Sequence, residues 1–147
     1  HHGIPTRLLD WTRKPLVAAF FAADAARSDA GDGSIAVYAM DERIVGTEER
    51  GGPIQRLLIP RHMSAFLHAQ AALLTWCRGG ERFFAAHGRW PSYEDVLGWP
   101  AMRELVGGRA EPVLWKYTLP KRAAAELLKL LLVEQVSRAH LMPTYDN

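Results

Sequence analysis

Apolar residues come in short bursts along this chain, and their spacing changes from burst to burst. Thr6 to Asp10 reads as a short strand. Thr12 follows as a helix N-cap, and Pro15 falls in the first turn, where a missing N–H costs little. Leu16 to Arg27 is then a helix. Its Leu16, Val17, Phe20, Phe21, Ala22 and Ala23 are apolar nearly all round, so other elements should cover it on more than one side. Ser28 to Gly33 is a turn, and Ser34 to Met40 is a β-rich apolar run expected to form a central strand.

A polar loop runs from Asp41 to Pro53, and Ile54 to Ile59 is a further strand closed by Pro60. Met63 to Cys77 fits two patterns. Met63, Phe66, Leu67, Leu74 and Cys77 form a helical stripe, while Ala72 to Trp76 fits a strand. Gly79 and Gly80 break the pattern. Ser92 caps a short helix with Glu94 and Asp95 in its first turn. Val113, Trp115, Tyr117 and Leu119 alternate with Leu114, Lys116 and Thr118, as in a half-buried strand. Pro120 opens a last helix with Ala124, Leu127, Leu128 and Leu131 on one face. Strands and helices mix without a regular βαβ rhythm. The expected class is therefore α+β, a mixed sheet flanked by helices.

The 147 residues fit one domain, residues 1–147. A net charge of +2 is too small to point to nucleic acid or an anionic membrane as partner. Of the 18 basic residues only Lys14, Lys116, Lys121 and Lys129 are lysine; the remainder are arginine, whose planar fork suits carboxylate and phosphate. Cys77 is the single cysteine, so no intrachain disulfide forms, which fits a reducing compartment, the cytoplasm. The longest apolar stretch, Leu16 to Ala23, ends at Asp24 and is far short of the roughly 20 residues that span a bilayer. The first residue is not Met and the chain opens inside a motif, so the domain is expected to be incomplete at its N-terminus.

Chemistry concentrates between His1 and Thr12. On a strand Thr6, Leu8 and Asp10 point one way, and Arg7, Leu9 and Trp11 the other. Asp10 and Thr12 sit where that strand hands over to a helix, a junction suited to an anion or a phosphorylated cofactor. Arg7 would clamp a phosphate bidentately. A structural reading of the same residues has Thr12 capping the helix, Asp10 balancing Arg7 and Trp11 in the core. His1 and His2 are adjacent and would face opposite sides of a strand, so no metal site is expected.

The run His1-x-Gly3-x-Pro5-Thr6-Arg7-Leu8-Leu9-Asp10-Trp11-Thr12, followed by Pro15-Leu16-x-Ala18-x-x-Phe21-Ala22, resembles the signature of the FRG domain family. Similarity continues at Gly33 to Val37, at Ala69-Gln70 with Thr75, and at Ser137 to Pro143. Ala72 and Leu74 stand where the family has Gly and Phe, and the aromatic-Arg-Gly motif that names the family is absent. The resemblance implies a fold sooner than a reaction. The order of parts also looks like that of ADP-ribosyltransferases, where a first Arg or His holds NAD and a late carboxylate or amide lies near the scissile bond. On that analogy His1, Arg7, Trp11 and Thr12 bind NAD, with Arg7 at a phosphate. Asp10 and Gln70 hold the catalytic positions. A glutamine cannot act as a carboxylate base, so the analogy implies a weak transferase or a pure NAD binder.

Two other features invite function. Arg78 beside Cys77 would lower a thiol pKa, but a lone cysteine in an apolar stretch is expected to be inert core. Trp76 to Trp90 interleaves Arg78, Arg82 and Arg89 with Phe83, Phe84 and Trp90, which suits base stacking. A partly buried helix covered by arginine stems explains the same pattern. The chain is thus read as an NAD-binding, transferase-like domain, with a non-catalytic binding or sensor module, contacting nucleic acid through Trp76–Trp90, as the alternative.

Overall fold

The computed structural model describes residues 7–27, 31–46, 51–57 and 65–142. Ser28 to Ala30, the end of the Ile54–Ile59 run and Met63 lie outside them. The fold is α+β. The described residues form five strands: β1 (Leu8–Thr12), β2 (Ser34–Met40), β3 (Ile54–Leu57), β4 (Ala72–Cys77) and β5 (Leu114–Pro120). The helices are α1 (Pro15–Ala26), α2 (Ala65–Ala69), α3 (Gly80–His87), α4 (Tyr93–Leu97), α5 (Pro100–Val106), α6 (Ala124–Val133) and α7 (Arg138–Leu141). These elements gather into two compact units, each drawn from three stretches of chain. The first is His1–Asp10, Met40–Ile59 and Leu73–Leu114; the second is Trp11–Ala39, Pro60–Ala72 and Trp115–Asn147.

In the first unit β4 lies between β1 and β3. The β3–β4 pair is antiparallel, with Ile54 opposite Cys77 and Leu57 opposite Leu74. The core holds Ile44, Ile54, Val96 and Met102, each at most 1% exposed. Two polar side chains are buried with them, and both are satisfied. The Gln55 amide donates to the Gly52 carbonyl at 2.7 Å, and Thr75 hydrogen-bonds the Tyr93 hydroxyl. Helix α4 is the one Ser92 was expected to cap. Ser92 Oγ accepts from the Asp95 amide at 3.1 Å, and Asp95 accepts in return from the Ser92 amide at 2.8 Å. Helix α5 was not visible in the sequence. It has a single buried anchor, Met102, and one anchor makes no period.

In the second unit α1 packs on α6. Val17, Phe20, Leu131 and Leu141 share one core cluster; Ala23, Ile35 and Ala124 share another. Val17, Phe20 and Ala23 form a stripe at intervals of three, and Leu16 stays exposed, so the cover over α1 is narrower than its composition suggests. Strand β2 is not central: it pairs with β5 in a two-stranded sheet. Residues of α1 and α6 pack against the Ile35–Leu119 end of that ribbon. Further along, Tyr117 is 62% exposed, so the predicted alternation holds at Val113, Trp115 and Leu119 and fails at Tyr117. In the ambiguous Met63–Cys77 region the strand forms as β4, which takes Leu74 and Cys77, and the helical stripe is limited to Phe66 and Leu67 in α2. Ala71 joins α2 to β4 at φ 46°, a left-handed conformation that costs a non-glycine residue about 1 kcal/mol. Among the described residues no helix is long and apolar enough to cross a membrane.

Candidate functional site

Arg7 stands one residue before β1 and shares a face with Leu9, since strand side chains alternate. Within the first unit that face meets Trp76 and Cys77 at the end of β4, Gly80 at the start of α3, and Trp90 beyond α3. Together they line a small cleft of about 50 Å³. The Arg7 guanidinium carbon lies 5.6 Å from the centre of the Trp76 ring, within cation–π range. Its Nη1 donates to Glu81 Oε1 at 2.5 Å, and the two side chains are 56% and 52% exposed. Glu81 is held below the usual carboxylate range by a hydrogen bond from its own backbone amide and by Arg7. Trp90 forms the other wall and leans on Phe84, with ring centres 4.9 Å apart.

Two glycines border this corner. Gly79 caps α3 at φ +89°, where any side chain is strained. At Gly80 an added Cβ would lie 3.6 Å from the Trp90 ring and 3.7 Å from Cys77 Cβ, taking up room between two walls of the cleft. Burial pushes the Cys77 thiol up to about 11. Desolvation therefore outweighs the neighbouring Arg78, and the cysteine is a neutral thiol at neutral pH.

Asp10, also in the first unit, is exposed as a residue. Partial burial of its carboxyl still raises its pKa above the ordinary value.

Trp11, Thr12 and Gln70 belong to the second unit. Trp11 is half-buried. Thr12 is not the N-cap of α1. Pro15 occupies N1 and holds Lys14 extended at φ −107°, so Lys14 is the cap residue. Thr12 Oγ1 instead accepts from the Lys14 amide at 3.0 Å and donates to the Gln70 carbonyl at 2.6 Å. The Gln70 amide donates to the Leu141 carbonyl at 3.1 Å, tying the end of α2 to α7. His1 lies outside the described residues.

Sequence reasoning assigned Arg7 to an anion but missed what surrounds it. Glu81 carries no signal in the sequence. The sequence marks Trp76 and Trp90 as the ends of a segment suited either to base stacking or to a partly buried helix. In that segment Arg89 is spoken for. It donates to Asp95 at 2.7 and 3.2 Å, locking the cap of α4, and its guanidinium sits 5.1 Å from the Phe83 ring centre. Phe83 in turn stacks on His87, with centres 4.0 Å apart. The structure thus gives Arg89 and Phe83 of that segment an internal use. Among the described residues no group of three or more His, Cys, Asp or Glu is placed to hold a metal ion.

A family model described as the FRG domain matches residues 1–31. The correspondences at Gly33–Val37, at Ala69-Gln70 with Thr75, and at Ser137–Pro143 lie outside that match. No curated protein and no solved structure matches the chain.

Proposed function

We propose that this FRG-type domain is a nucleotide-binding module of the NAD class, with Arg7 as its phosphate ligand and Trp76 and Trp90 as its aromatic walls. The observation that carries the reading is the Arg7 guanidinium poised over Trp76 at a cleft mouth, held by one exposed ion pair. Exposed pairs are weak, so a phosphate that engages the guanidinium fork bidentately competes well for it. The cleft admits one small group at a time, a phosphate or the edge of a ring, while the remainder of a dinucleotide lies along the half-exposed rim.

Binding without chemistry is the better-supported form of the proposal. Gln70, the late amide of the transferase analogy, spends its N–H on the Leu141 carbonyl. Cys77 is a neutral thiol and so offers no activated nucleophile. One observation favours a transferase-like second reading. Burial lifts the pKa of Asp10, as it does for carboxyls that handle protons. Calorimetric titration of NAD, followed by an assay for free nicotinamide, tests both. The binding reading expects Arg7→Ala to weaken NAD by about tenfold, as for the loss of a charge-assisted hydrogen bond. Unchanged affinity in that variant rejects it. The transferase reading requires nicotinamide release that Asp10→Ala abolishes with the fold intact; no release in the wild type rejects that reading.

A further inference from the structure

The carboxylates of the first unit hold their arginines very differently. Asp41 grips Arg43 through both of its oxygens and also takes Arg109, with only 10% of its side chain exposed. Asp95 receives Arg89 at both oxygens and the Ser92 amide as well. Glu81 receives one bond from Arg7, on a single nitrogen, between two side chains that are each about half exposed. That nitrogen belongs to the guanidinium facing the cleft and the Trp76 ring. Glu81 is the residue after Gly80, which lines the same cleft. A carboxylate therefore rests where a ligand's anionic group would meet Arg7.

We propose that Glu81 is a built-in competitor for this site: the cleft takes an anionic ligand only as Arg7 exchanges the Glu81 carboxylate for it. The inference rests on the nucleotide-binding reading and adds a regulatory residue to it. Two physical effects act together. The ion pair must be given up, and the displaced carboxylate remains close by, repelling the incoming phosphate. An exposed pair changes an equilibrium by about fivefold at most, so the competition sets the threshold of binding and does not abolish it.

The test is titration of NAD, at low and at physiological salt, into four proteins: wild type, Glu81→Gln, Arg7→Ala and the double variant. Glutamine keeps the length of the side chain and an acceptor for its own amide, removing only the charge. The proposal expects Glu81→Gln to bind NAD about fivefold tighter, more clearly at low salt, and to have a clearly smaller effect once Arg7 is alanine, where only the repulsion remains. Binding seen in Glu81→Gln and undetectable in wild type supports it equally. If Arg7→Ala weakens NAD while Glu81→Gln leaves it unchanged, the competitor role is overturned and the nucleotide site stands. If Glu81→Gln tightens binding equally with and without Arg7, its charge acts through the general field and the exchange is overturned. No binding by wild type or Glu81→Gln overturns both readings.

Discussion

Asp41 offers the sharpest test of the electrostatics in the first unit. It follows β2 directly, caps the short helical turn Glu42–Ile44 by accepting the Arg43 amide at 2.9 Å, and takes the Arg43 guanidinium at 2.7 to 3.0 Å and Arg109 at 2.9 Å. The side-chain hydrogen bonds of Arg43, then its backbone amide, hold the Asp41 carboxyl down at about 2. An unfolded aspartate titrates at roughly 3.9, so the gap corresponds to a ceiling of about 2.5 kcal/mol. Arg43 has 80% of its side chain in water, and screening reduces the working value to about 1 kcal/mol. Asp41→Asn retains the cap acceptor and removes the charge. Because the folded value is depressed, the contribution is complete above about pH 4 and vanishes as pH falls through about 2. Urea unfolding followed by tryptophan fluorescence should show the variant about 1 kcal/mol less stable at pH 7, with about half of that difference gone at pH 3. A difference of the same size at both pH values would refute the electrostatic origin, and no difference at pH 7 would remove the contribution altogether.

Two further outcomes follow from the sites. Gln70→Ala should lose about 1 kcal/mol by leaving the Leu141 carbonyl without this donor. That lowers the melting temperature by about 3 °C, and an unchanged melting curve would make Gln70 available to a ligand again. Alkylation of Cys77 by iodoacetamide should be slow at pH 7.5 and rise about tenfold per pH unit toward 11, since the thiolate is the nucleophile; fast labelling at neutral pH would contradict the burial argument.

Local chemistry determined much of this protein without help from the tertiary structure. The start of α1 is written in Pro15, the cap of α4 in Ser92 and Asp95, and the break before α3 in Gly79 and Gly80. Each of these rests on dihedral limits or hydrogen bonds within a few residues, which a sequence states directly. The same holds for the α-face Ala124, Leu127, Leu128 and Leu131, where the helical period alone names the buried side. The site is different in kind. Arg7 was readable as a residue wanting an anion, but Glu81 lies 74 positions away, and Arg109 reaches Asp41 across 68. Gln70, read as a candidate for chemistry, is tied to Leu141 by a hydrogen bond spanning 71 positions. Whether β2 would be central, and how much of α1 and Tyr117 would be covered, likewise depended on which elements met. Side-chain pairings of that range come from the packing of whole elements, whose balance of burial against chain entropy is set by the complete fold and by no single stretch of sequence.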